Sequence, residues 1–187
     1  MGKYLPGFIR NNDFQTYYFE EIKKMILLKF EPELKGDSKT AKHEGWITLD
    51  SLQWGVGRAI STSGAGIDRD TSNPSFSEIT VTKSMDIASA QLMQEAACGK
   101  SLTKATFHFI QTGGKDAEGQ EYLEIILENP IISSYSLSSG GDRPSESFSI
   151  NYIGITMQYN QFEKGGTPKK GEAKGWDLSV NKVKNKI

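Results

Sequence analysis

The chain has 187 residues, 22 of them basic and 23 acidic, for a formal net charge of -1, which is long enough for one domain with a substantial core. So even a balance removes the electrostatic case for nucleic acid or an anionic membrane as partner. One cysteine, Cys98, excludes an internal disulfide and a cysteine-based metal cluster. The longest apolar runs, such as Met25 to Leu28 and Ile125 to Leu127, fall far short of a membrane span, and the first residues lack the basic, apolar, small-residue order of a signal peptide. The chain is expected to be soluble and made in the cytoplasm.

Met1 to Lys24 differs in texture from the rest. Leu5, Pro6 and Gly7 suggest an irregular start; then, with Asp13 as cap, Phe14, Tyr17, Tyr18 and Ile22 recur at helical spacing. A short amphipathic helix and a flexible leader are equally good readings. Met25 is a second beginning: Ile26, Leu28 and Phe30 alternate with Leu27 and Lys29 as a strand that ends at Glu31 and Pro32, before the polar run Lys35 to Lys42. From Trp46 to Val56, Ile47 and Leu49 occupy one parity and Leu52, Trp54 and Val56 the other, so the strand must bend, bulge or change partners near Asp50 and Ser51. Ser61 to Pro74 (STSGAGIDRDTSNP) is a long polar loop without a core pattern.

Ser77 to Gly99 is the organising stretch. In Glu78 to Met85, Ile79, Val81 and Met85 alternate with Glu78, Thr80, Thr82 and Ser84 as a half-buried strand. Asp86, or Ser84 as the rival, caps a helix over residues about 86–98. Ala88, Leu92 and Ala96, beside Met93 and Ala97, form its expected core face, with Ser89, Gln91, Gln94 and Glu95 on the wet side. Cys98 is expected to be a small buried residue on the last turn. Gly99 suits the left-handed position that closes the helix, with Lys100 at the negative end of the dipole.

Beyond the helix, Ala105, Phe107 and Phe109 alternate with Thr106, His108 and Ile110, and Gly113 and Gly114 begin a turn. Leu123, Ile125 and Leu127 answer on the next strand, and the hairpin is expected to continue through Ile131, Tyr135 and Leu137 after a break at Asn129 and Pro130, giving an antiparallel meander. After the turn Ser138 to Ser145 comes one last long strand, Glu146 to Tyr159, apolar on both faces around Gly154. Glu163 to Lys174 is a solvated basic segment, and Gly175, Trp176 and Asp177 tack down the C-terminus.

No catalytic constellation emerges. His43 and His108 are the only histidines, lie far apart in the chain and are expected to be structural or surface residues, so no metal centre and no cofactor are expected. There is no Gly-x-Ser-x-Gly elbow, and Gly113, Gly114 and Lys115 lack the strand, cradle and helix of a phosphate loop. Glu124 and Glu128 look like an ordinary solvated strand face. The chain is not expected to be an enzyme.

The stretches His43 to Gly57 (HEGWITLDSLQWGVG), Asp68 to Phe76 (DRDTSNPSF) and Ser77 to Gly99 with its KSMD and LMQEAACGK segments, then Ser138 to Tyr152 (SSGGDRPSESFSINY) and Gly175 to Asp177, stand in a specific order. In that order and spacing they resemble the Hcp tube proteins of bacterial type VI secretion systems, from Met25 onward. Met1 to Lys24 is the departure, a native variant, an upstream start or a fusion ahead of a single domain over 25–187. The resemblance implies a mainly β fold, an antiparallel β-barrel with one flanking α-helix and a long extended loop. It further implies a homohexameric ring that stacks into tubes, with sheath and spike-tip proteins and small effector proteins as partners, and secretion after cytoplasmic assembly. The expected subunit or ring contacts are Gly64, Gly66, Asp68, Arg69, Asp70, Ser72 and Phe76. The competing reading is a monomeric β-barrel binding module that uses the 61–74 loop.

Overall fold

Alternating apolar residues commit most of this chain to strands, and every strand pairing among the described residues is antiparallel. The structure, a computed structural model, describes residues 24–60, 72–111, 119–162 and 168–184. In chain order the elements are β1 (Lys24–Glu31), β2 (Ile47–Leu49), β3 (Ser51–Gln53), β4 (Val56–Gly57), β5 (Ser75–Phe76), β6 (Ile79–Ser84) and α1 (Ser89–Cys98). There follow β7 (Lys104–Gln111), β8 (Gln120–Glu128), β9 (Ile131–Ser138), β10 (Ser145–Asn151), β11 (Gly154–Phe162), β12 (Pro168–Lys170), β13 (Lys174–Asp177) and β14 (Lys182–Lys184). The larger sheet runs β14-β13-β11-β8-β7-β1-β2, with β12 on β11; the smaller runs β3-β6-β10-β9, and β4 and β5 form a separate ribbon. Leu28, Phe30 and Phe107 of the larger sheet and Ile79, Val81 and Phe148 of the smaller are wholly buried in one shared core. The fold is thus mainly β, as expected, with one helix among the described residues.

The chain passes between the sheets at three corners, which gives the sandwich its barrel-like character. At Asp50 the parity shift becomes a change of partner: Leu49 pairs with Ile26 of β1, whereas Leu52 pairs with Val81 of β6. The second corner corrects the expected meander. Beyond Asn129 (φ 46°) and the buried Pro130, β9 does not extend the β7-β8 hairpin but joins the smaller sheet beside β10. The third corrects the expected single strand from Glu146 to Tyr159, because β10 lies on β6 and β9, while β11 lies on β8 and β13. Apolar residues on both faces here reflect membership of two sheets in succession. Gly154 belongs at this corner because a Cβ there would sit 2.7 Å from Glu128 Oε2.

The helix departs from its expected span and faces. It starts at Ser89, and Asp86 caps the turn before it: Asp86 Oδ1 accepts the Ala88 amide at 2.9 Å, while Ser89 Oγ accepts the Asp86 amide at 2.9 Å. Ser84 pairs in β6 and caps nothing. Ala88 and Leu92 are buried and Ala96 packs on the core, but Met93, Ala97 and Cys98 are exposed, and Ser89, assigned to the wet side, is buried. The helix rests on β9 by a narrow stripe, narrower than the apolar composition suggests. Gly99 closes it in the left-handed conformation (φ 62°).

Residues 168–170, expected in a solvated segment, form a strand on β11. Trp176 does tack the C-terminal strands down, its ring stacked 6.2 Å from Phe76. The Met1 to Lys23 part of the N-terminal segment and the Gly113–Gly114 turn lie outside the described residues.

Candidate functional site

Two places carry the functional question: the base of the 61–74 loop, and the outer surface of the larger sheet. Of the expected contact residues, Gly64, Gly66, Asp68, Arg69 and Asp70 lie outside the described residues. Ser72 and Phe76 do not act together. Ser72 clamps the loop stem, its amide donating to the Ala59 carbonyl and its Oγ accepting the Ala59 amide, both at 3.1 Å. Phe76 is half-buried, 6.2 Å from the rings of Trp54 and Trp176, so it anchors the ribbon at home. β4 and β5 pair as a two-stranded ribbon beside that anchor. Gly55 to Ile60 are all exposed, Val56 and Ile60 each at 53%, and added Cβ atoms at Gly55 and Gly57 would meet only open space.

The second place was missed by the sequence reading. His43 and His108, 65 positions apart, meet with Nε2 of the first 2.7 Å from Nδ1 of the second. His43 gets there on a closed loop: Gly36 donates to Gly45 O at 2.8 Å, Gly45 to Ser38 O at 2.9 Å, and Ser38 to Trp46 O at 3.1 Å. A Cβ on Gly36 would run into the Trp46 carbonyl, so this closure demands glycine. His108 projects from β7 opposite Glu124 of β8. Glu121, three residues from Glu124, would face the other way on a regular strand. A bulge between Phe109 and Ile110 in the β7-β8 ladder brings Ile110 opposite Glu121 and restores it to the His108 face. Glu121 Oε2 lies 3.2 Å from His108 Nδ1, and Glu124 Oε1 lies 3.2 Å from His108 Nε2.

Trp46 walls the cluster, its ring 4.7 Å from each imidazole. Burial lowers the His43 pKa; the hydrogen bond to the Ala41 carbonyl opposes this and the neighbouring His108 adds to it. Burial pushes Glu121 up, whereas the hydrogen bond from His108 holds Glu124 down despite its burial. The two histidines, far apart in the chain, thus meet in space, and Glu124 turns toward His108, while Glu128 stays on a part-exposed face and pairs with Lys184. Among the described residues, the ligand atoms of His43, His108 and Glu121 lie within 4.8 Å of one another, close enough to share a metal ion. The β7-β8 pairing was visible in the alternation, but the loop that delivers His43 left no periodic signal.

With the fold and these geometries in place, likeness to known proteins is informative. A family model described as "Type VI secretion system effector, Hcp" matches residues 21–159. The chain belongs to the Hcp family. Protein hcp1 of Pseudomonas aeruginosa is 27% identical over 153 residues, covering 80% of this chain and 92% of that protein. A solved structure titled as a type six secretion system protein superposes with a TM-score of 0.78 at 26% identity, covering 87% of this chain and all of that one. Hcp1 from Salmonella typhimurium shares the fold with a TM-score of 0.67 at 23% identity, over 86% of this chain and 99% of its own. The resemblance carried by the sequence motifs is therefore a family relationship, to the tube proteins of type VI secretion. No helix among the described residues is long and apolar enough to cross a membrane.

Proposed function

We propose that this Hcp-family chain is the repeating structural subunit of a secreted tube, six copies closing a ring and rings stacking end to end, with small effector proteins held in the lumen. Assembly takes place in the cytoplasm beside sheath and spike-tip proteins, and secretion follows. The observation that best supports an assembly role is the β4-β5 arm. Apart from the anchored Phe76 it stands largely in solvent, with Val56 and Ile60 exposed, although an isolated two-stranded ribbon is marginal in water. A neighbouring subunit or ring is a ready source of the missing burial. On this reading Gly64, Gly66, Asp68, Arg69 and Asp70 are subunit or ring contacts, with Ser72 and Phe76 at the end of the loop that leads into β5. Function on this reading is mechanical, not catalytic.

Light scattering after size-exclusion chromatography tests the ring. A mass near six times the 20.7 kDa chain is expected, and a monomeric mass over the whole working concentration range would favour the binding-module reading instead.

A further inference from the structure

We propose that His43, His108 and Glu121 form a binding site for a divalent transition-metal ion of zinc-like chemistry, which pins the 36–46 loop to the larger sheet. His43 Nδ1 lies 3.2 Å from the Ala41 carbonyl oxygen, which can only accept, so this nitrogen carries the hydrogen and Nε2 presents its lone pair inward. His108 Nε2 lies 3.2 Å from the Glu124 carboxylate, which holds that nitrogen as the donor and turns Nδ1 toward His43. Each imidazole thus has its outer N–H held by an oxygen acceptor and its inner nitrogen aimed at the other, the arrangement that orients histidine ligands around metals. Glu121 supplies an anionic oxygen to the same point, 3.2 Å from His108 Nδ1.

The facing nitrogens lie 2.7 Å apart, within hydrogen-bond distance. A tetrahedral ion with bonds of about 2.0–2.1 Å places its ligand atoms about 3.3 Å apart. The two rings therefore need to part by about 0.6 Å while the Glu121 carboxylate closes in from within 4.8 Å, and a hydrogen shared between the nitrogens leaves to water as the ion enters. Two nitrogens and one carboxylate suit zinc, copper or nickel, and disfavour magnesium and calcium, which take oxygen ligands. The burial gradient gives the ion a way in: His43 is 9% exposed, whereas the Glu121 side chain is 33% exposed and opens the fourth position to water. Trp46 packs against both imidazoles, 4.7 Å from each. Lys170 lies close enough to act on both carboxylates and tempers, without cancelling, their negative field.

The test is isothermal titration of untagged, full-length, chelator-stripped protein with zinc chloride, with magnesium chloride as control. One zinc per chain with micromolar or tighter affinity is expected, and no magnesium heat. His43→Ala and His108→Ala should each weaken zinc binding by 100-fold or more, and Glu121→Gln by about 10-fold, with unchanged circular dichroism. Cobalt should give the visible absorption of a four-coordinate ion in the parent protein and lose it in the variants. Absence of saturable zinc binding, or binding undiminished in the variants, overturns the proposal. If either histidine variant fails to fold, Glu121→Gln decides alone, since its side chain is partly solvated. Ring mass is independent of these readouts, so failure here leaves the tube reading untouched.

Discussion

Lys83 Nζ donates to Glu146 Oε2 at 2.8 Å with both side chains completely shielded from solvent, although the residues are 63 positions apart. They are direct partners in the β6-β10 ladder. Lys83 falls on the parity of Ile79 and Val81, so the alternation that buries those residues buries the ammonium as well. Asp86 takes a second hydrogen bond from Nζ at 2.8 Å, and Tyr135 donates to the other Glu146 oxygen at 2.9 Å. The network ties β6, β9 and β10 to the turn that starts α1.

Such a pair is costly to break and cheap to replace. Lys83→Met should destabilise the subunit by about 3–5 kcal/mol, because it strands a buried carboxylate. Joining it to Glu146→Leu should recover part of that loss, since no charge is left unpaired between the strands, although Asp86 still loses the ammonium and Tyr135 its acceptor. Urea denaturation of the two single variants and the double variant measures the coupling. Additive losses would show that the pair does not act as a unit.

The same network sets an acid limit. Burial pushes the Glu146 carboxyl up, but hydrogen bonds from Lys83, Ser89 and Tyr135 outweigh it and leave its pKa below the ordinary value. A carboxylate depressed in the folded state adds stability at neutral pH that is lost as pH falls, from about pH 4 downward. Burial and the Glu146 carboxylate push Tyr135 the other way, to about 12. Stability should thus decline on acidification below about pH 4, and less steeply in the Lys83→Met/Glu146→Leu protein, as melting curves across pH will record.

Leu92 and Met93 offer a direct test of the helix face. Leu92 is fully buried and Met93 is 51% exposed. Leu92→Ala should cost about 2–5 kcal/mol, whereas Met93→Ala should stay within about 0.5 kcal/mol. Equal effects in thermal melts would mean that the helix lies on the sheet by a different stripe.

Charge reversal in the long loop addresses assembly. Asp68→Lys, Arg69→Glu and Asp70→Lys together should leave the melting temperature nearly unchanged, because exposed pairs are worth only about 0–1 kcal/mol each. Around a stacked ring every contact is repeated, so small terms add. Tubes seen by electron microscopy, and secretion of the protein, should both be lost. Normal tubes and normal secretion in the triple variant would remove this loop from the assembly surface.

The spacing of apolar residues alone determined a mainly β fold with a helix after residue 86, and the parity shift near Asp50 and Ser51 called for a bend, a bulge or a change of partner, of which β2 and β3 show the last. Those features are local: a two-residue period and a glycine stop are written in neighbouring residues. The sheet assignments of β9 and β11 were not, because a corner at Asn129 or Tyr152 looks in sequence like a pause within one strand, and only packing chooses the next partner. Helical spacing puts Met93 on the apolar face and Cys98 on the last turn, yet both stand in solvent because α1 touches β9 along one narrow stripe. Lys83 lies on the buried parity of its strand, and its counter-charge Glu146 comes from a strand far along the chain. His43 and His108 show the same limit, since a loop without periodicity and a one-residue bulge bring them and Glu121 together. Periodicity reports which side of an element is buried; what waits on that side depends on contacts between distant residues, which only the tertiary structure decides.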